Sequence, residues 1–207
     1  MHGLTLSGLA IFAAALAVAA FAPGPGIAAI VARVLGRGRS GAVAFTTGLA
    51  MGDIVWLSAT VLGLAVLTKA FQGVFTVIKY AGAAYLLYLA VKMWTAPAAA
   101  IEARQAVKKE KTSTLFLAGL AVTLGNPKVM VFYLALLPNL VDLGRVDALA
   151  FAELALVTLS VLALVFGFYI ALALRARRLI SSPKAIRIVN RSSGAIMASA
   201  AVAIATR

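Results

Sequence analysis

Ala22-Pro23-Gly24-Pro25-Gly26 interrupts an apolar run that begins at Leu4 and meets no charge before Arg33. Each proline removes a backbone donor and clashes with the preceding turn, and each glycine loosens the backbone. A helix cannot continue through such a stretch. In water the result would be an ordinary loop. In a lipid bilayer, irregular backbone survives only where protein buries it or where it lines a wet cavity. The reading of the whole chain therefore turns on whether it lives in a membrane.

Composition answers that. Of 207 residues, 63% are hydrophobic and only 12% are charged, against about 45–50% and about 25% in soluble domains. Several apolar stretches reach the roughly 20 residues that cross a hydrocarbon core of about 30 Å. The chain has no cysteine, and its one histidine is His2. Disulfides, thiol chemistry and a His- or Cys-based metal site are thereby excluded. The net charge of +13 does not indicate nucleic acid, because the basic residues fall in short loops between apolar spans. The first span lacks a basic leader and a small-residue cleavage site, so it reads as retained.

In order, span one covers about 4–22, breaks at Pro23–Gly26 and resumes as a helical piece over about 27–35. Span two covers about 41–66, with Gly48 and Gly52 in the spacing that lets helices approach closely and Asp53 in mid-span. A link around Lys69 and Gly73 leads to span three, about 74–93, with Tyr85, Tyr88 and a terminal Trp94. Residues 95–113 are polar and basic and divide the chain into a first half, 1–94, and a second half, 114–207. Span four, about 114–137, is interrupted at Gly125-Asn126-Pro127-Lys128 and is expected to end at Pro138. Span five covers about 150–174, and a short span six about 193–206.

Six spans place thirteen of the nineteen Lys and Arg residues on one side and three on the other, with Lys79, Lys92 and Lys128 within or at the ends of spans. The basic side is expected to be cytoplasmic and both termini to face away from it. Three spans, a linker and three more spans make the second half inverted relative to the first. The first span of each half carries a proline break, and paired broken helices are the best sequence pointer to a transporter's central site. The expected fold is thus an all-α membrane protein of about six transmembrane helices, arranged as two inverted three-helix repeats with helices one and four broken.

Asp53 and Lys128 are the two charges at mid-depth, each roughly 18–21 Å from the basic end of its span at 1.5 Å per residue. A lone charge at the bilayer centre costs about 2.5–3.5 kcal/mol on insertion scales. The two are expected to pair or to flank a polar cavity, a purely structural ion pair being the competing reading. Asn126 adds an amide, Pro127 frees a carbonyl one turn earlier, and the Pro23–Gly26 break exposes further backbone groups. Half-helix ends of both signs suit a ligand with both an anionic and a cationic group, such as a zwitterionic amino acid. Thr46, Thr47, Ser58 and Thr60 read as helix-packing residues, Tyr85 and Tyr88 as packing or interface residues, and Lys79 as a snorkelling side chain.

Pro23-Gly24-Pro25, Gly52-Asp53, Gly82-Ala83-Ala84-Tyr85-Leu86-Leu87-Tyr88-Leu89 and Asn126-Pro127-Lys128 followed by Leu136-Leu137-Pro138 together resemble the LysE/RhtB family of amino-acid exporters. The resemblance covers nearly the whole chain in order and spacing. It implies a multi-pass bacterial inner-membrane exporter of amino acids driven by the proton gradient. Carried over by motif, it assigns Pro23, Gly24, Pro25, Asp53, Asn126, Pro127 and Lys128 to the central site. Asp53, as the one carboxylate at mid-depth, is the expected proton-coupling residue. Many members have a polar residue after Pro-Gly-Pro, where this chain has Gly26, itself counted among the substrate-binding positions.

An ion channel or ion transporter on the same scaffold is the alternative function. An enzyme is excluded by inventory: no internal His or Cys, no second mid-membrane carboxylate beside Asp53 and no metal motif. No cofactor is expected, and without a Walker motif any pumping must use an ion gradient. The expected partners are a small amino acid and membrane lipid, with homo-oligomerisation open.

Overall fold

In the computed structural model, residues 4–63 and 110–179 are described continuously, with isolated helical positions between 80 and 95 and between 187 and 202. The expected third and sixth spans and most of the 95–113 linker, with Lys69, Gly73, Lys79, Tyr85 and Lys92, lie outside the described residues. Among those described, the regular structure is helical throughout. Two helices are long and apolar enough to cross a membrane, and two further bent pairs qualify if each is one span.

Helix α1 spans Leu6–Phe21 and α2 spans Pro25–Arg37, bent by 56° at the break. The Thr5 side chain caps α1 by accepting from the Gly8 N–H at 3.2 Å. Ala22 is extended, as the residue before a proline prefers. Pro25 opens α2 at a position whose N–H has no intrahelical partner in any case. Helix α3 spans Ala42–Val61. Helix α4 spans Thr112–Leu124 and α5 spans Pro127–Leu140, again bent by 56°. A 3-10 turn, Leu143–Arg145, leads to α6, Ala148–Leu179.

Two boundaries depart from expectation. Pro138 does not end its span, because α5 runs on to Leu140. A proline there lacks its N–H and clashes with the carbonyl of Leu134. The chain absorbs this by widening into a π-helical turn over Phe132–Leu136, and the Asn139 side-chain amide donates to the Ala135 carbonyl. Helix α6 extends past 174 to Leu179, carrying Arg175, Arg177 and Arg178 in its last turns, where cations oppose the helix dipole.

The basic residues gather at one end. Buried Arg33 reaches Glu110 at 2.9 Å and the Ser40 carbonyl at 3.2 Å, and Arg37 reaches the same carboxylate at 3.3 Å. Arg177 lies against Gly38. Gly41 makes this corner possible: its φ is 68°, and a Cβ there would strike Leu115 and the Arg33 guanidinium. At the opposite end Glu153 accepts from the Leu4 N–H at 2.9 Å, and Asp142 caps the 3-10 turn.

Helix α3 packs most extensively on α4, and glycines set their distance. A Cβ on Gly48 would strike the Phe116 carbonyl, one on Gly119 the Phe45 carbonyl, and one on Gly52 the Thr123 side chain. The backbones therefore meet directly, as the Gly48–Gly52 spacing predicts. Helix α6 packs across α1, α2 and α3. Its outer stripe of Leu156, Leu164, Phe168 and Leu172 is exposed, a surface that a bilayer covers and that water would penalise.

Replacing Gly48 or Gly119 with alanine forces these backbones apart. Each is expected to cost about 1–3 kcal/mol, the usual penalty of overpacking. Gly167 has open space around it, so Gly167→Ala is expected to leave stability unchanged or raised by up to about 1 kcal/mol. Thermal unfolding in detergent checks this. Equal midpoints for Gly48→Ala and Gly167→Ala would contradict the packing described.

Candidate functional site

The two breaks complete each other. In a continuous helix the carbonyls of Ala19 and Phe21 would accept from residues 23 and 25, but both are prolines and have no N–H to give. The chain turn at Gly24 also strands the Ala22 carbonyl. The second break supplies the missing donor. The Lys128 ammonium donates to the Ala19 carbonyl at 2.9 Å and to the Ala22 carbonyl at 2.7 Å. The Phe21 carbonyl accepts from the Tyr169 hydroxyl of α6 at 2.8 Å. The two lysine bonds are charge-assisted, and all three fall on the partially negative end of α1.

Lys128 is delivered to that position by its own break. Asn126 caps α5, its side-chain oxygen accepting from the Lys128 N–H at 3.1 Å, and Pro127 stands at the first helical position. The carbonyl that Pro127 would otherwise leave free, Thr123, accepts from the Asn126 N–H at 3.0 Å. One of its two lone pairs is thereby used within the break. Gly24 lies against the lysine: a Cβ there would come within 3.1 Å of Nζ.

Between the breaks lies a half-open cavity, with roughly 50 Å³ of room for the centre of a water molecule. Gly26, Asp53, Asn126 and Lys128 line it, as does Thr123. Pro23, Gly24, Pro25 and Pro127 do not; Pro23 is exposed, and the prolines act by ending helices. The remaining wall is apolar, with Leu16, Ile27, Leu49, Phe132, Leu162 and Phe166 prominent. The α2 N-terminus opens here. Gly24 offers no side-chain cap, so the N–H groups of Gly26 and Ile27 are among the donors that a helix start leaves without partners.

Asp53 is 5% exposed and forms no ion pair within 4 Å among the described residues. Of the two arrangements the sequence allows, direct pairing with Lys128 and a shared cavity, the second is present. Two of the three ammonium donors are committed to α1 carbonyls, leaving one toward the cavity. On the other flank of Asp53 stands the Tyr133 hydroxyl, with the Thr158 hydroxyl beside it in turn. Thr46, Ser58 and Thr60 bond carbonyls of their own helix, the packing role expected of them.

Several participants escape a reading by charge: Thr123, Tyr133, Thr158 and Tyr169. The signal they carry is a hydroxyl inside an apolar run. That signal does not distinguish a residue bonding its own helix from one serving a neighbour's break.

The sequence profile of LysE type translocators matches residues 17–207. The homoserine/homoserine lactone efflux protein of Salmonella typhimurium is 30% identical over 174 residues, 84% of each chain. The leucine efflux protein of Klebsiella pneumoniae is 28% identical over 152 residues, 73% of this chain and 71% of that one. An uncharacterized membrane protein of Vibrio cholerae is 29% identical over 189 residues, 91% and 92% of the two chains. No solved structure matches.

Removing the donors at the first break is expected to destabilise the fold. Tyr169→Phe removes the donor to one carbonyl at the break and is expected to cost about 0.5–1.5 kcal/mol, the net worth of an ordinary hydrogen bond. Lys128→Met strands two and is expected to cost more. Unfolding midpoints of the detergent-purified variants check the order, and an unchanged midpoint for Lys128→Met would contradict it.

Proposed function

This chain belongs to the LysE type translocator family, and from that premise we propose that it exports a small neutral amino acid across the bacterial inner membrane, with proton entry on Asp53. It is a transporter and not an enzyme. The observation that carries the reading is the charge arrangement of the cavity. The Lys128 ammonium and the open N-terminus of α2 favour a carboxylate. Asp53, buried and without an ion-pair partner, favours an ammonium group. A zwitterion brings both, and its two charges match the charged side chains that line the cavity among the described residues, Lys128 and Asp53.

The rest of the wall gives the side-chain class. No further charge is present to receive a lysine-like or glutamate-like side chain, and the lining is aliphatic and aromatic. Relatives are named for homoserine/homoserine lactone efflux and for leucine efflux, compounds whose side chains carry no charge. The same apolar lining disfavours an ion pathway, which would present polar groups along its length.

Transport follows from alternating access around the cavity. The two halves, 1–94 and 114–207 joined by 95–113, rock against each other as inverted repeats. The equal bends of 56° at the two breaks support this. So does the path of the chain, which leaves α3 at the end away from the arginines and resumes at α4 beside them. The arginine-rich end faces the cytoplasm and both termini face the periplasm. Asp53 exchanges the substrate's ammonium for a proton, so that loading one releases the other.

The test is efflux from proteoliposomes loaded with leucine, homoserine, lysine or glutamate, with and without a pH gradient. Leucine or homoserine efflux is expected to rise with the gradient, and lysine and glutamate efflux to stay at background. Equal efflux of lysine, or a flux of inorganic cations instead, would overturn the assignment. Asp53→Asn keeps the size and removes the exchangeable proton. It is expected to reduce gradient-driven export about tenfold or more, the scale of one charge-assisted hydrogen bond. Undiminished concentration of substrate by the Asn variant would assign coupling elsewhere.

A further inference from the structure

The flank of Asp53 that faces away from the cavity holds two hydroxyls with no assigned role. Tyr133 and Thr158 are both fully buried, at 0% exposure. Neither hydroxyl oxygen has a hydrogen-bond partner. The Tyr133 hydroxyl is a near neighbour of both the Asp53 carboxyl and the Thr158 hydroxyl, and neither contact closes into a full hydrogen bond. Buried hydroxyls almost always find a partner, and one without demands an explanation. Other hydroxyls along these helices do find one: Thr60 donates to Trp56, Ser58 to Ile54 and Tyr169 to Phe21.

Backbone geometry sets Tyr133 apart in a second way. It lies in the π-helical turn Phe132–Leu136, and such turns are frequent at functional sites. The turn directs Phe132 to the cavity and leaves Tyr133 outside its lining. Tyr133 packs instead among Phe12, Trp56, Leu57, Leu137 and Leu154, in an apolar cluster that also includes the cavity-lining Leu16 and Phe132. The three polar groups share a level. By the rise of a helix, Asp53, Tyr133 and Thr158 lie roughly 10–15 Å from the ends of their helices opposite the arginines.

We propose that Tyr133 and Thr158 form a hydroxyl relay that carries the proton to Asp53 from the periplasmic half, on a route separate from the substrate cavity. This rests on the exporter reading above. The step balances as a paired transfer. The Tyr133 O–H gives its proton to an Asp53 carboxylate oxygen while its own oxygen takes the Thr158 hydroxyl proton. In the same step Thr158 takes a proton from hydronium that reaches it from the periplasmic side when the carrier opens there, leaving neutral water. The groups facing Asp53 are Lys128 on α5 and Tyr133 on the π turn; among the described residues, α1, α2, α4 and α6 present no other titratable side chain to it. Tyr133 is thus a positioning and relay residue, and substrate is held without it.

The experiment compares two modes of leucine movement in proteoliposomes. Exchange of internal for external leucine needs no net proton transfer, whereas uphill export under a pH gradient needs one per cycle. For Tyr133→Phe, exchange is expected to stay within about twofold of wild type. Gradient-driven export is expected to drop at least about tenfold, a modest part of what a positioned proton-transfer group supplies. Gradient-driven export at the wild-type ratio to exchange would overturn the relay and leave the exporter reading intact. Wild-type protein that shows no gradient response would overturn both. If Tyr133→Phe loses exchange as well, Thr158→Val decides. An unchanged ratio in that variant overturns the relay, and a selective loss of gradient-driven export supports it.

Discussion

Three carbonyls at the end of α1 need donors that the chain itself cannot give, and Lys128 supplies two of them. Prolines at 23 and 25 remove the N–H groups that would have closed the helix, in a place where the hydrocarbon core offers no water. An unsatisfied backbone group there costs several kcal/mol. The bonds from Lys128 to Ala19 and Ala22, and from Tyr169 to Phe21, meet that cost. The first break is thus stable only because the second brings a lysine to it. The second brings that lysine only because Asn126 and Pro127 fix the start of α5.

The same interaction shapes the chemistry. With its ammonium anchored on α1, Lys128 does not form a contact ion pair with Asp53. Two opposite charges are instead held apart across one cavity, which is the arrangement a zwitterion fits. The close backbone approach of α3 and α4 through Gly48, Gly52 and Gly119 keeps Asp53 and Thr123 on the same wall. Packing that reads as structural therefore also sets the spacing of the site.

Much of this is legible in the sequence, because prolines, glycines and charges in an apolar run have few physical explanations. The broken helices, the α3 glycine pair, the shared cavity of Asp53 and Lys128, and the collection of arginines at one end follow from residue type and spacing alone. The partner of Lys128 does not. Charge alone favours Asp53, and the freed carbonyls outcompete it because of how the two breaks are folded together. The π turn is equally hidden, since Pro138 reads as a helix end until packing carries the chain past it. Tyr133, Thr158 and Tyr169 are single hydroxyls without periodicity, and only three dimensions separate their roles.

Binding of amino-acid analogues to the purified protein tests the central claim most directly. Leucine carries both charges, its decarboxylated amine only the positive one, and its deaminated acid only the negative one. A cavity that holds Lys128 and Asp53 apart predicts that leucine binds while each single-charge analogue loses about tenfold or more in affinity, at least one charge-assisted contact. Equal affinity for leucine and either analogue would contradict the account.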